Sequence, residues 1–165
     1  MRSSKTARRI IGIDPGLAST GWGVLDCDRG RIRHVAHGHI STKAGLPIEK
    51  RLLFIMESLR CLVNEHEPSL SAVEILYFGK NVSSGIPVAH ARGVVFAALA
   101  EKGIPVLEFS PNAIKQAVTG VSRADKKQVQ EMVRLILGLD EIPKPDHAAD
   151  ALGVAICAAN SGNPA

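Results

Sequence analysis

The chain opens its first ordered stretch with Ile10-Ile11-Gly12-Ile13, which has no polar face and is cut off by Asp14-Pro15-Gly16. A short run that is apolar on both faces predicts a buried strand from Arg9 to Asp14, ended by the Pro-Gly turn. Thr20 to Asp26 and Arg31 to Ser41 predict two further strands, and Asp28-Arg29-Gly30 supplies the hairpin turn between them. Three strands so connected predict an antiparallel meander. The period then changes. Between Pro47 and Asn64, Leu52, Leu53, Ile55, Met56, Leu59, Leu62 and Val63 form a stripe at helical spacing. Ser69 to Leu76 predicts a fourth strand, and Tyr77 to Ser84 a loop.

Pro87 to Glu101 is rich in Ala and Val and predicts a helix closed by Gly103. Pro105 to Phe109 predicts a fifth strand. Ser110-Pro111 is a cap and first-turn pair, so a short helix follows to Val118. Lys126 to Leu137 reads as an amphipathic helix. Pro143-Lys144-Pro145 breaks the chain, and Asp146 to Ala159 predicts a last, very apolar helix. The order βββ-α-β-α-β-α-α-α predicts an α/β fold on a mixed five-stranded sheet, antiparallel over strands one to three and parallel over four and five, flanked by helices.

Composition narrows the class. At 165 residues a single domain over residues 9–160 is expected, with a disordered basic arm at 1–8 and a frayed tail at 161–165. The net charge of +4 suits a polyanionic partner without proving one. Cys27, Cys61 and Cys157 show no CxxC spacing, which argues against a disulfide framework and for a reducing, cytoplasmic setting. The basic start is followed by only four residues before Asp14, too few for a signal peptide. No stretch reads as long enough to span a bilayer, so no membrane partner is expected.

The acids carry the chemistry. Asp14 ends one strand, and Glu74 interrupts the apolar run Ala72-Val73-Glu74-Ile75-Leu76, although Glu is depleted in strands. As a turn starter Asp14 needs no further role, and Glu74 on an edge strand would face water. If strands one and four are parallel neighbours, however, both acids lie at their C-terminal ends, where open α/β sheets place ligand sites. In Asp146-His147-Ala148-Ala149-Asp150, the spacing puts His147 and Asp146 on one helix face with Asp150. First-turn acids against the helix dipole explain Asp146 well and Asp150 poorly, because only apolar and small residues follow it. Buried carboxylates need a compensating cation, and oxygen-rich sites suit Mg²⁺ or Mn²⁺.

Several stretches together resemble the RuvC family of Holliday-junction resolvases across nearly the whole chain. They are Ile11-Gly12-Ile13-Asp14-Pro15-Gly16, Val73-Glu74 with Phe78-Gly79-Lys80-Asn81, His90-Ala91-Arg92-Gly93, Lys126-Lys127-Gln128-Val129-Gln130 and His147-Ala148-Ala149-Asp150-Ala151-Leu152. The resemblance implies an RNase H-like fold and a homodimer that nicks four-way junction DNA symmetrically during recombination and repair, with a RuvA-RuvB branch-migration complex as partner. It maps the family's metal positions onto Asp14, Glu74, His147 and Asp150. Many members carry Asp where this chain has His147. Asp146 is adjacent, so either of the two can be the fourth ligand.

Two divalent ions about 4 Å apart can clamp the attacking and leaving oxygens of an in-line phosphodiester displacement, which requires no protein nucleophile. Asp14 is the expected bridge, with Glu74 and Asp150 each on one ion. Tyr77 and Phe78 are either core residues or exposed rings that stack at an opened junction. Lys80, Arg92, Lys115, Arg123, Lys126 and Lys127 are either a phosphate-binding floor or a solvated charged face. His34, His37, His39, His66 and His90 lack metal-ligand spacing with the cysteines and read as structural. Three rivals share parts of the pattern, one of them a related RNase H-like nuclease acting on RNA, against which the length and the match from Lys126 to Gln130 favour the resolvase. An actin-like ATPase half has the same Gly-x-Asp-x-Gly strand end but needs a second domain and phosphate loop, and a junction-binding module without catalysis has no use for acids that repel phosphate.

Overall fold

The structure is a computed structural model that describes residues 7–162. Ten elements follow one another: β1 (Arg8–Asp14), β2 (Ser19–Asp28), β3 (Arg31–Ser41), α1 (Ile48–His66), β4 (Leu70–Glu74), α2 (Val82–Glu101), β5 (Val106–Phe109), α3 (Pro111–Thr119), α4 (Lys126–Leu137) and α5 (Asp146–Asn160). The sheet order is β3-β2-β1-β4-β5. β1 is antiparallel to β2 and parallel to β4, and β4 is parallel to β5. The mixed sheet expected from the chain is therefore present, with β1 at its centre.

Side-chain alternation on β1 explains why that strand read as apolar throughout. Ile10 faces the core shared with α5, α3 and α4, whereas Ile11 and Ile13 face the core beneath α1 and α2. A central strand covered on both faces has no polar side to show. α5 lies directly on the sheet, and every residue from Ala151 to Ala159 on it is buried.

Glycines permit that close approach. A Cβ on Gly12 would stand 2.0 Å from the Ala151 carbonyl oxygen, and one on Gly21 would stand 1.9 Å from that of His147. Gly23 is likewise filled by Leu152. Gly12 pairs with Gly23 across the β1–β2 ladder, so a smooth floor underlies a helix whose own facing residues are mostly Ala.

Four expectations need correction. Arg8 belongs to β1 rather than to a disordered arm, and its guanidinium donates to the Gly162 carbonyl. Ser161 and Gly162 are ordered, with Ser161 capping α5. Ala7 is described and lies outside any strand, and residues 1–6 of the expected arm and 163–165 of the tail lie outside the described residues. β4 ends at Glu74 instead of Leu76, so Glu74 is a strand terminus and not an interruption.

Finally, α2 begins at Val82 and carries Pro87 inside it. Pro87, the sixth residue of the helix, lacks the N–H that would reach the Ser83 carbonyl, yet the helix runs through it, so Pro87 does not set the boundary. The resulting 20-residue helix is long and apolar enough, by length and composition, to cross a membrane. Its packing on α1 and the burial of Ala91, Val95, Ala98 and Leu99 give that apolar character a place in the fold.

Candidate active site

The parallel pairing of β1 and β4 runs to Ile13 opposite Val73, so Asp14 and Glu74 emerge side by side at the C-terminal edge. α5 brings its first turn to the same edge, because Gly21 seats the His147 backbone against β2. His147 Nδ1 lies 2.8 Å from Asp14 Oδ2. Asp14, His147 and Asp150 each offer a ligand atom, and these atoms lie within 4.8 Å of one another. Two carboxylates and an imidazole at that spacing are a chemically suitable donor set for a divalent cation.

The acids are held at a cost. Burial raises the Asp14 carboxyl above its ordinary value despite the opposing hydrogen bond from His147. Burial also raises Glu74, helped by the charges of Asp14 and Asp150. Asp150 is raised first by burial and then by Asp14. All three therefore favour arrival of a cation, which would relieve burial and mutual repulsion together.

A fourth acid behaves differently. Asp146 points at Lys126, with Nζ to Oδ2 at 3.2 Å, and that hydrogen bond holds its carboxyl below the usual value. Lys126 also reaches Asp150 at 3.7 Å. Its position follows from the Asp125–Gln128 capping box, which starts α4 at Lys126 and aims it at the start of α5.

Two recesses open beside the acids. One, about 240 Å³, is lined by Asp14, Glu74, Tyr77 and Arg92 among others. The second, about 290 Å³, contains Glu74, Asp150, Lys115 and Lys126. Tyr77 and Phe78 are 64% and 54% exposed, so they are rings on a loop rather than core residues.

Of the expected basic residues, only Lys115 and Lys126 stand in the carboxylate recess as amines. Lys80 and Arg123 are exposed on neighbouring loops. Lys127 instead lines a separate groove of about 480 Å³ with Thr119, Val121 and Met132, which contains none of the converging acids. Arg92 faces the first recess, but its guanidinium is engaged by the Glu74 carbonyl and the Glu108 carboxylate. Sequence reasoning overlooked the Gly12-Gly21-Gly23 floor. Its signal is glycine repeating on one strand face opposite an Ala-rich helix.

A central strand ending in Asp, a parallel neighbour ending in Glu, and a helix bringing Asp150 to the same edge define a nuclease of RNase H-like architecture. Comparison with known proteins agrees. Residues 10–158 match the sequence profile of the family described as crossover junction endodeoxyribonuclease RuvC. A relative of that description from Chloroflexus aggregans is 53% identical over 149 residues, covering 90% of this chain and 91% of the relative.

The solved structure of Thermus thermophilus RuvC in complex with Holliday junction substrate superimposes with a TM-score of 0.85 at 34% identity, covering 91% of this chain and 92% of that one. A yeast mitochondrial Holliday junction resolvase shares the fold at 15% identity and a TM-score of 0.65. The chain belongs to the RuvC family of crossover junction endodeoxyribonucleases.

Proposed function

We propose that the chain, as a single nuclease domain, hydrolyses one phosphodiester per protomer of a homodimer at a four-way DNA junction, using divalent ions held by Asp14, Glu74, His147 and Asp150. The observation that carries this reading is the cluster of Asp14, His147 and Asp150, whose ligand atoms lie within 4.8 Å of one another, with Glu74 lining the two recesses beside it. Carboxylates in a phosphate-binding cleft repel the substrate unless a cation intervenes. Two Mg²⁺ or Mn²⁺ ions, when bound, supply the charge that stabilises the attacking and leaving oxygens.

The chain's own residues do the rest. Asp14, beside His147 and next to Glu74 on the neighbouring strand, would hold both ions. Lys115 and Lys126 offer ammonium groups to the scissile phosphate from the recess wall. Tyr77 and Phe78 offer exposed faces to bases unstacked at the crossover. Lys80, Arg123 and Lys127 extend the phosphate contact outward. The free cysteines Cys27, Cys61 and Cys157 fit a reducing cytoplasm. A RuvA-RuvB complex is the partner that the family suggests.

Incubation with a synthetic four-way junction and with linear duplex, with and without Mg²⁺ or Mn²⁺, tests the proposal. Junction-selective, ion-dependent nicks are expected. Equal cutting of linear duplex, or cutting in chelator, overturns it.

The aromatic loop makes a sharper expectation. Tyr77→Ala should slow cutting of a fully paired junction more than cutting of one with unpaired bases at the crossover. Stacking on the ring is worth about 1–3 kcal/mol per base, so a loss on the order of tenfold is expected on the paired substrate. Equal slowing on both substrates counts against a stacking role.

His147 against Asp146 is resolved by exchange. The imidazole lies against Asp14, whereas Asp146 is paired with Lys126, which supports His147 as the ligand. Imidazole is a softer donor than carboxylate, and Mg²⁺ favours oxygen. His147→Asp should raise the Mg²⁺-to-Mn²⁺ activity ratio. Asp146→Asn should retain most activity. The reverse pair of results makes Asp146 the working ligand.

Dimerisation is supported by α2. Val82 and Ile86 are large exposed apolar residues on it, and Gly93, Ala97 and Ala100 are small and exposed. Small residues allow a second copy to approach closely, and a C₂ pair matches the symmetry of two opposed nicks. Light scattering should report a dimer at micromolar concentration. Ala97→Glu should shift it to monomer and replace paired nicks with single ones. A wild-type monomer that still makes paired nicks overturns the expectation.

A further inference from the structure

We infer that Arg92 is a positioning residue for Glu74 and for the aromatic loop, and that it makes no phosphate contact; this rests on the reading of Glu74 as a metal ligand. β4 ends at Glu74, so the chain leaves the sheet at the Glu74–Ile75 peptide. That peptide is held at both of its polar atoms. Ile75 donates its N–H to the Phe109 carbonyl at 2.8 Å, continuing the ladder to β5 by one bond. The Glu74 carbonyl accepts from Nη1 of Arg92, on α2. Fixing both atoms fixes the peptide plane, and with it the backbone from which the Glu74 side chain projects. It also fixes the direction in which the loop bearing Tyr77 departs, three residues later.

Arg92 is itself locked. Its Nη2 donates to Glu108 Oε1 on β5, and its guanidinium carbon sits 4.7 Å from the centroid of the Phe96 ring. The side chain is only 13% exposed, against 57% for Lys126. A cation that waits for a phosphate stands in solvent. One with a backbone carbonyl, a carboxylate and an aromatic face around it already has its partners. The planar fork is essential to this arrangement, because two acceptors in different directions and a ring beneath require a flat, multi-donor cation.

The test is direct Mn²⁺ binding, followed by paramagnetic resonance on the dimer without DNA, alongside junction binding measured by anisotropy in Ca²⁺. Arg92→Met should weaken Mn²⁺ binding about 10–100-fold, the usual cost of removing a group that orients a ligand. Junction affinity and its salt dependence should be unchanged. If instead Mn²⁺ binding is retained and the salt slope falls by about one, Arg92 is a phosphate contact and the inference is wrong. A lowered melting temperature with unchanged Mn²⁺ binding also overturns it, because the role is then packing alone.

Should Arg92→Met fail to fold, Arg92→Lys is read by the same criteria. It keeps the charge, loses the fork, and is expected to bind Mn²⁺ more weakly than wild type. Glu74→Gln separates the two levels of the reading. If it leaves Mn²⁺ binding intact, the metal-ligand role of Glu74 fails. If it weakens binding while both Arg92 variants do not, only the role of Arg92 fails.

Discussion

Asp14→Asn is expected to abolish cleavage while leaving junction binding in place. The substitution keeps the shape of the side chain and removes the charge nearest to both proposed ion positions. Losing several kcal/mol of transition-state stabilisation slows the reaction on the order of 10³-fold or more. Phosphate contacts made elsewhere are untouched, so gel-shift affinity for the junction is retained. A near-wild-type rate in the variant sinks the assignment of Asp14.

The same variant is expected to be more stable than wild type when no metal is present, by an amount that grows with pH. Asp14, Glu74 and Asp150 all have folded-state pKa values above those of free carboxylates. In the unfolded chain each group releases its proton near pH 4, whereas in the metal-free fold release comes later. Between those points the native state holds more protons than the unfolded state, so stability falls as pH rises. Below the unfolded value the groups contribute nothing, and above the raised value their full penalty applies.

Asparagine removes the Asp14 share of that penalty. The melting-temperature advantage of the variant over wild type should therefore be absent at acid pH and present at neutral pH. The gain is read as a rise in melting temperature, at about 2–4 °C per kcal/mol for a chain of this size. Mn²⁺ should reverse the order, since wild type, with its full ligand set, binds it more tightly and gains more from it. A pH-independent difference between the two proteins contradicts this electrostatic account.

Gly12→Ala is expected to damage the fold and the site together. The added methyl would meet the Ala151 carbonyl oxygen at 2.0 Å and the Ala155 backbone nitrogen at 2.8 Å. Both are backbone atoms in the buried stretch of α5 from Ala151 to Ala159, so no side chain can swing aside. α5 must lift off the sheet, and its first turn carries His147 and Asp150. Overpacking of this kind costs about 3 kcal/mol, or about 6–12 °C in melting temperature.

Activity should fall further than stability explains, because displacing a reacting group by about 1 Å can cost about 100-fold. Gly21→Ala should act in the same way through its 1.9 Å contact with the His147 carbonyl. Thermal denaturation with single-turnover cleavage below the melting point checks both variants. A wild-type melting temperature for either one refutes the glycine-floor account.

The chain alone determined the element order, the mixed sheet and three of the acids. These are local matters. The period of apolar residues changes from strand to helix, and Asp14 and Glu74 are anomalous because one ends an apolar run and the other interrupts one. Asp150 is anomalous for the same reason at the head of a buried helix. Family resemblance then added a metal role to these anomalies.

What the chain did not determine depends on distance through space. Arg92 and Lys126 are both cations in stretches that resemble the family, and nothing along the sequence separates them. Tertiary packing places Lys126 in the acid recess and turns Arg92 onto a backbone carbonyl, a carboxylate and a ring. Asp146 and His147 are neighbours in sequence, yet the turn of α5 sends one to Lys126 and the other to Asp14. Gly12 and Gly21 look like ordinary strand glycines until a helix more than a hundred residues away lies on them. Composition and period report what each segment prefers, whereas the identity of a side chain's partner is set by which segments the fold brings into contact.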